Sequence, residues 1–281
     1  MSEFEILDAS WMRGHPLPDP GDQGKHGRGQ VLVVGGEAEL AGAAMLAGVA
    51  ALRSGAGKLQ VAVASDAVAV LSVALPEARV LALPKDQADG AADLVTQHAS
   101  RCDALLIGPG MIDDSKGRAA ALLSLGTGRP TIVDAGALRA VPNARPQQGL
   151  VLTPNAGEMA ALLNEEKAAI DADPLAAGHR AAQRFKAVVV VKGAISFVVG
   201  PDGAAARYAG GGPGLGVSGS GDVLGGLITG LLARGADPFL ASAWGVFVHG
   251  ESGAQLAAKV GKLGYLAREI ADEAPSILSS F

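Results

Sequence analysis

The chain has 281 residues, of which 49% are hydrophobic and only 4% aromatic, and it carries a formal net charge of −5. That length suits one large α/β domain or two small ones with an aliphatic, alanine-rich core, and an acidic balance with no basic run argues against nucleic acid as a partner. The single cysteine, Cys102, excludes an internal disulfide and a cysteine-based zinc site.

The first five residues are acidic and lack the basic-then-apolar plan of a signal peptide. Residues 1–24 are predicted to be a lead-in, and 13–30, rich in Gly, Pro and charge, to be surface loop. Val31 to Val34 reads as a buried strand closed by Gly35 and Gly36. A helix of small residues is predicted over 41–53. The longest uncharged apolar run, 40–52, is too short and too glycine-rich to cross a bilayer, so a soluble cytoplasmic protein with no membrane partner is expected. Further strands are predicted at 59–63, 79–83, 104–107, 131–133, 150–152 and 187–191, with helices at 88–99, 118–125 and 176–185. This alternation predicts one three-layer α/β/α domain spanning 1–281, with a mostly parallel sheet. Residues 197–199, the turn Pro201-Asp202-Gly203 and residues 204–208 read as a hairpin, so the sheet is expected to end antiparallel. Beyond Asp222 the chain reads as mostly helical. No linker or internal repeat interrupts it.

In such sheets ligands bind outside the carboxyl ends of the strands. Five predicted strand ends carry Gly, Pro or charge: Gly35-Gly36, Gly108-Pro109-Gly110, Asp134-Ala135-Gly136, residues 153–158, and Lys192-Gly193. Any one βα turn needs Gly or Pro for its geometry alone. Together they predict a shared rim. Lys192 ends a buried strand, where an unpaired ammonium is costly, so it reaches an anion at the rim or pairs with a carboxylate, Asp134 and Glu158 being the candidates.

Residues 210–222 read G-G-G-P-G-L-G-V-S-G-S-G-D, seven glycines before one aspartate, and helix-like sequence follows. Bare backbone can approach a ligand closely, and a helix starting at or just before Asp222 would add its positive end, which suits a phosphate. An aspartate beside a phosphate makes sense if it takes a proton from an attacking hydroxyl. The bland alternative for Asp222 is a helix N-cap. Gly214 to Gly219 matches G-x-G-x-x-G, but no strand directly precedes it, so the dinucleotide-fold reading is rejected. No P-loop occurs. His249 lies in an apolar helical stretch, 241–256, and is expected to be a packed or hydrogen-bonded core histidine. No two histidines have metal-ligand spacing, so no protein metal site is expected; a metal would be Mg²⁺ held mainly by ligand phosphates.

Taken in order, these segments resemble the ADP/ATP-dependent NAD(P)H-hydrate dehydratases of the ribokinase-like superfamily. The resemblance runs from about Lys25 to His249. It is carried by residues 27–36 and Ala41-Gly42-Ala43-Ala44, by residues 51–57, by Ile107-Gly108-Pro109-Gly110 and by residues 134–138. It continues through 152–158, Val191-Lys192-Gly193, residues 218–224 and Val248-His249-Gly250. It implies Asp222 as the reactive carboxylate. It implies a nucleotide held by Lys192, Gly193, Ala194, Ile195, Ser196, Gly219, Ser220 and Gly221. It implies a hydrate site lined by Ala43, Gly110, Asn155 and Asp222. The family usually has histidine where this chain has Asn155, and proline where it has Ala156. The resemblance further implies ADP or ATP as phosphoryl donor, Mg²⁺, and a homo-oligomer, possibly a tetramer. The reaction it implies is repair of the S-epimer of hydrated NADH or NADPH: the ring hydroxyl is phosphorylated, Asp222 accepts its proton, and phosphate leaves. Two other readings stay open on the residues: a small-molecule kinase of the same fold, acting on a sugar, pyrimidine or pyridoxal-type alcohol, and a nucleotide-binding protein without turnover.

Overall fold

Aliphatic runs three to seven residues long are too short for helices and too apolar for surface loops, and they become the inner strands of a ten-stranded sheet. The computed structural model describes residues 4–19, 21, 24–83, 88–112, 126–143 and 148–281. In chain order the strands are β1 (Glu5–Ile6), β2 (Gln30–Val34), β3 (Lys58–Ala64), β4 (Ala78–Leu83), β5 (Ala104–Ile107), β6 (Thr131–Val133), β7 (Leu150–Leu152), β8 (Val188–Val191), β9 (Ser196–Val199) and β10 (Ala205–Tyr208). They lie side by side as β1-β10-β9-β8-β7-β6-β5-β2-β3-β4. β9 runs antiparallel to both neighbours, and every other pair is parallel.

The helices of the described residues are α1 (Ala9–Gly14), α2 (Gly24–Gly27), α3 (Ala41–Arg53), α4 (Val68–Ala74), α5 (Ala88–Ala99), α6 (Ala156–Leu163), α7 (Lys167–Ala172), α8 (Pro174–Phe185), α9 (Ser220–Ala233), α10 (Pro238–Lys259) and α11 (Ala267–Leu278). Successive strand residues point to opposite faces, and here both faces are buried. Val31 and Val33 pack in one core with Ala47 of α3, Leu227 of α9, Trp244 of α10 and Ile270 of α11. Leu32 and Val34 pack in the other with Val95 of α5, Met159 of α6 and Ala181 of α8. The result is the three-layer α/β/α arrangement that the strand–helix alternation predicts.

Two expectations about the edges need correction. The hairpin does form, as β9 and β10, but it does not end the sheet: β1 adds outside it, parallel to β10. The lead-in is therefore partly structural. Asp8 caps α1 by accepting from the Ser10 and Trp11 amides, Met12 is fully buried, and the Trp244 indole donates to the His15 carbonyl at 2.8 Å. A two-residue strand has no periodicity to read, and its pairing comes from tertiary contact. The predicted helix 118–125 lies outside the described residues.

Candidate active site

Because β2 and β5 to β8 are parallel, their carboxyl ends share one edge, and the turns there are stitched to one another. The Gly36 amide donates to the Pro109 carbonyl at 2.7 Å, the Glu37 amide to Gly110 at 3.1 Å, and the Lys192 amide to Pro154 at 2.9 Å. The shared rim is thus real.

At its centre sits a charge cluster. Lys192 Nζ donates to Asp134 Oδ1 at 2.8 Å and lies 3.6 Å from Glu158 Oε2. Both candidate partners meet it. Asp134 is only 2% exposed, so this pair is a buried one that needs good geometry to hold its charges. Burial opposes the charge on Lys192, but Asp134, Glu158 and Asp222 together outweigh it and push its pKa up. Asp222 feels the reverse. Burial, then the Asp134 charge, raise its pKa to about 6, against the opposing pull of Lys192. A carboxylate with a pKa near 6 stays mostly ionised at neutral pH yet is a stronger base than an exposed one.

Asp222 is held there by α9. The helix starts at Ser220, two residues earlier, after Gly219 in the left-handed region (φ 91°) and with no side chain capping it. Asp222 is therefore not the N-cap; it stands in the first turn with its carboxylate free of capping duty. The amides of Gly221 and Asp222 make no hydrogen bond among the described residues, so they are open donors at the helix's positive end. A Cβ on Gly221 would stand 3.4 Å from Lys192 Nζ and 3.9 Å from Asp134 Oδ2, which puts the helix start directly over the charge cluster.

Three of the earlier glycines of the segment serve another purpose than the sequence suggests. A Cβ on Gly210 would meet the Tyr208 ring, one on Gly211 would meet Leu215 and Gly250, and one on Gly214 would meet the Tyr265 ring. These positions let the loop lie close against β10, α10 and Tyr265, two residues before α11. They do not face an open site.

Asn155 has a structural task as well. Its Oδ1 accepts from the Glu158 amide at 3.0 Å and the Glu158 carboxylate accepts from the Asn155 amide at 2.7 Å, a capping box that starts α6. The N-x-x-E spacing carried that signal in the sequence. Asn155 and Glu158 also line a cleft of about 750 Å³, together with Met111, Ala135, Gly136 and Arg139. Ala43 and Gly110 meet on the neighbouring part of the rim, where a Cβ on Gly110 would stand 3.1 Å from that of Ala43. Gly193, Ala194 and Ile195 form an exposed turn beyond Lys192, closed by Ser196 at the start of β9. His249 is the hydrogen-bonded histidine expected: its Nε2 lies 2.9 Å from Ser220 Oγ and 3.1 Å from the Ser220 carbonyl. No cluster of three His, Cys, Asp or Glu side chains able to hold a metal occurs among the described residues.

Comparison with known proteins decides the family. The NAD(P)H-hydrate dehydratase family model matches residues 31–276. The chain belongs to this family. An ADP-dependent (S)-NAD(P)H-hydrate dehydratase of Xanthomonas campestris is 49% identical over 97% of this chain and 95% of its own length. A Moorella thermoacetica bifunctional NAD(P)H-hydrate repair enzyme is 36% identical over 97% of this chain, which spans only 53% of that longer protein. Among solved structures, the Bacillus subtilis ADP/ATP-dependent NAD(P)H-hydrate dehydratase, co-crystallised with ATP and Mg²⁺, superposes with a TM-score of 0.87 at 26% identity, covering 100% of this chain and 99% of that one. A ribokinase-like protein of Enterococcus faecalis superposes equally well, TM-score 0.87 at 24% identity over 100% and 97% of the two chains, and supports the fold alone.

Proposed function

We propose that this NAD(P)H-hydrate dehydratase family member is an ADP-dependent lyase acting on the S-epimer of hydrated NADH and NADPH. The observation that carries the reading is the placement of Asp222: a carboxylate on the uncapped first turn of α9, over the Lys192–Asp134 pair, with its pKa raised to about 6.

Hydroxide leaves poorly from the reduced ring and phosphate leaves well, so the hydroxyl is first phosphorylated. Asp222 takes the hydroxyl proton as the oxygen attacks the terminal phosphorus of ADP, and AMP departs. The open amides at the start of α9 stabilise charge on the transferring group. The ring-nitrogen lone pair then expels phosphate, and the neighbouring ring carbon loses a proton to restore the dihydronicotinamide. Lys192 through Ser196 and Gly219 through Gly221 hold the nucleotide. Ala43, Gly110 and Asn155 line the hydrate site. Asn155 cannot titrate; its Oδ1 already accepts from the Glu158 amide, and its amide N–H groups are the donors it offers a ligand.

ADP is proposed as donor because the Xanthomonas campestris relative, 49% identical, is an ADP-dependent enzyme. Mg²⁺ fits as a companion of the nucleotide: the rim carboxylates are engaged with Lys192 and the capping box, so the ion would ride on phosphate oxygens, near Asp222, and neutralise their charge. The test incubates the protein with NADH hydrate, Mg²⁺ and either ADP or ATP. Recovery of reduced-nicotinamide absorbance with equimolar phosphate supports the reading. Accumulation of a phosphorylated substrate marks a kinase instead, and ADP binding with no product marks a protein without turnover.

A further inference from the structure

His249 takes no part in the chemistry above, yet its ring reaches the peptide that precedes Asp222. Its Nε2 lies 3.1 Å from the Ser220 carbonyl oxygen, which can only accept, so Nε2 carries the proton and donates. The Ser220 hydroxyl, 2.9 Å away, shares the same N–H as an acceptor. Burial is the main cause that pushes the His249 pKa down to about 4; the Ser220 bond opposes it and the Lys192 charge adds to it, so the ring is neutral at neutral pH.

The Ser220 carbonyl and the Gly221 N–H are the two ends of one planar peptide unit. A donor that fixes the direction of the carbonyl therefore fixes the direction of the N–H. It also draws electron density toward the carbonyl oxygen, which makes that N–H a stronger donor. The Gly221 N–H has no partner among the described residues, and it belongs to the glycine that lies over Lys192. The next residue on α10, Gly250, is the surface on which Gly211 rests, with 3.2 Å between the Gly250 Cα and a Cβ at Gly211. One turn of α10 thus holds both ends of the 210–222 segment.

We infer that His249 is a positioning residue: its Nε2–H holds and polarises the Ser220–Gly221 peptide so that the Gly221 N–H is aimed at the phosphoryl group being transferred. This rests on the phosphoryl-transfer reading above. The test compares the parent with His249→Leu and His249→Gln in repair kinetics, ADP affinity by calorimetry and melting temperature. Parent turnover alone tests the underlying reading. His249→Leu should lower kcat about tenfold or more with the KM for hydrate within about threefold, the signature of an interaction made in the transition state. His249→Gln places an amide N–H near the same carbonyl and should recover most of that loss. A leucine variant that keeps the parent kcat overturns the inference, as does a glutamine variant as impaired as leucine. If the parent shows no repair, the reading fails and the Gly221 amide proton resonance tests the inference alone. ADP should shift it downfield in the parent and in His249→Gln but not in His249→Leu. Equal shifts in all three overturn it.

Discussion

The two ends of residues 210–222 look alike in sequence and are bound by different constraints. At the first end, Gly210, Gly211 and Gly214 lack side chains because Tyr208, Leu215, Gly250 and Tyr265 occupy the space. At the second end, Gly221 faces only the tips of Lys192 and Asp134, at ordinary contact distance. Gly210, Gly211 and Gly214 answer to packing, as does Gly219, where a Cβ would fall 2.5 Å from Leu46; Gly221 is the one that stands over the charge cluster. A glycine run by itself does not distinguish the two, since close approach to protein and close approach to ligand need the same residue.

That contrast can be broken by substitution. The largest effect on stability is expected at Lys192, which serves only the second end. Lys192→Met leaves the buried Asp134 and the neighbouring Asp222 and Glu158 without their cation, and should cost about 3–5 kcal/mol, read as a lower denaturation midpoint. Next comes Gly211→Ala, whose Cβ would fall 2.3 Å from Leu215 and whose φ of 83° suits few other residues. It should cost about 1–3 kcal/mol. Gly221→Ala should stay within roughly 0.5 kcal/mol of the parent yet slow turnover about ten- to hundredfold by crowding the helix start. If Gly221→Ala destabilises as much as Gly211→Ala, the division between the two ends is wrong.

A pH series sharpens the second end. The folded-state pKa of Asp222 is raised from 3.8 to about 6, so its contribution to stability is fully present below 3.8 and lost as pH rises through about 6. Asp222→Asn removes a titration that disfavours the fold at neutral pH. The variant should melt a few degrees higher than the parent above pH 6, a gain on the order of 1–3 kcal/mol, and the gain should fade toward pH 4. In the parent, kcat/KM should fall with acid with a midpoint near 6, because the base must be ionised.

Much of this architecture was legible in the chain. Fully buried strands such as β5 and β8 announce themselves as uninterrupted aliphatic runs, and the Pro201-Asp202-Gly203 turn fixes the hairpin. Lys192 was readable as a cation needing a carboxylate, because an ammonium at the end of a buried strand has few other outcomes. What was not legible depended on partners distant in sequence. β1 and α1 are stabilised by contacts with Arg207 and Trp244, some two hundred residues on. The packing of Gly211 on Gly250 and of Gly214 on Tyr265 likewise joins residues far apart in the chain. The contact of His249 with Ser220 could not be read because nothing local to either residue indicates it.

The most direct test of the account is turnover of NADH hydrate with ADP by the parent and by Asp222→Asn. The parent should restore reduced cofactor and release phosphate and AMP in equal amounts. The variant should bind ADP with near-parent affinity and lose about 10²–10⁴-fold in kcat. Repair by Asp222→Asn at the parent rate would contradict the assignment of Asp222 as base, and with it the reading of this helix start as the reaction centre.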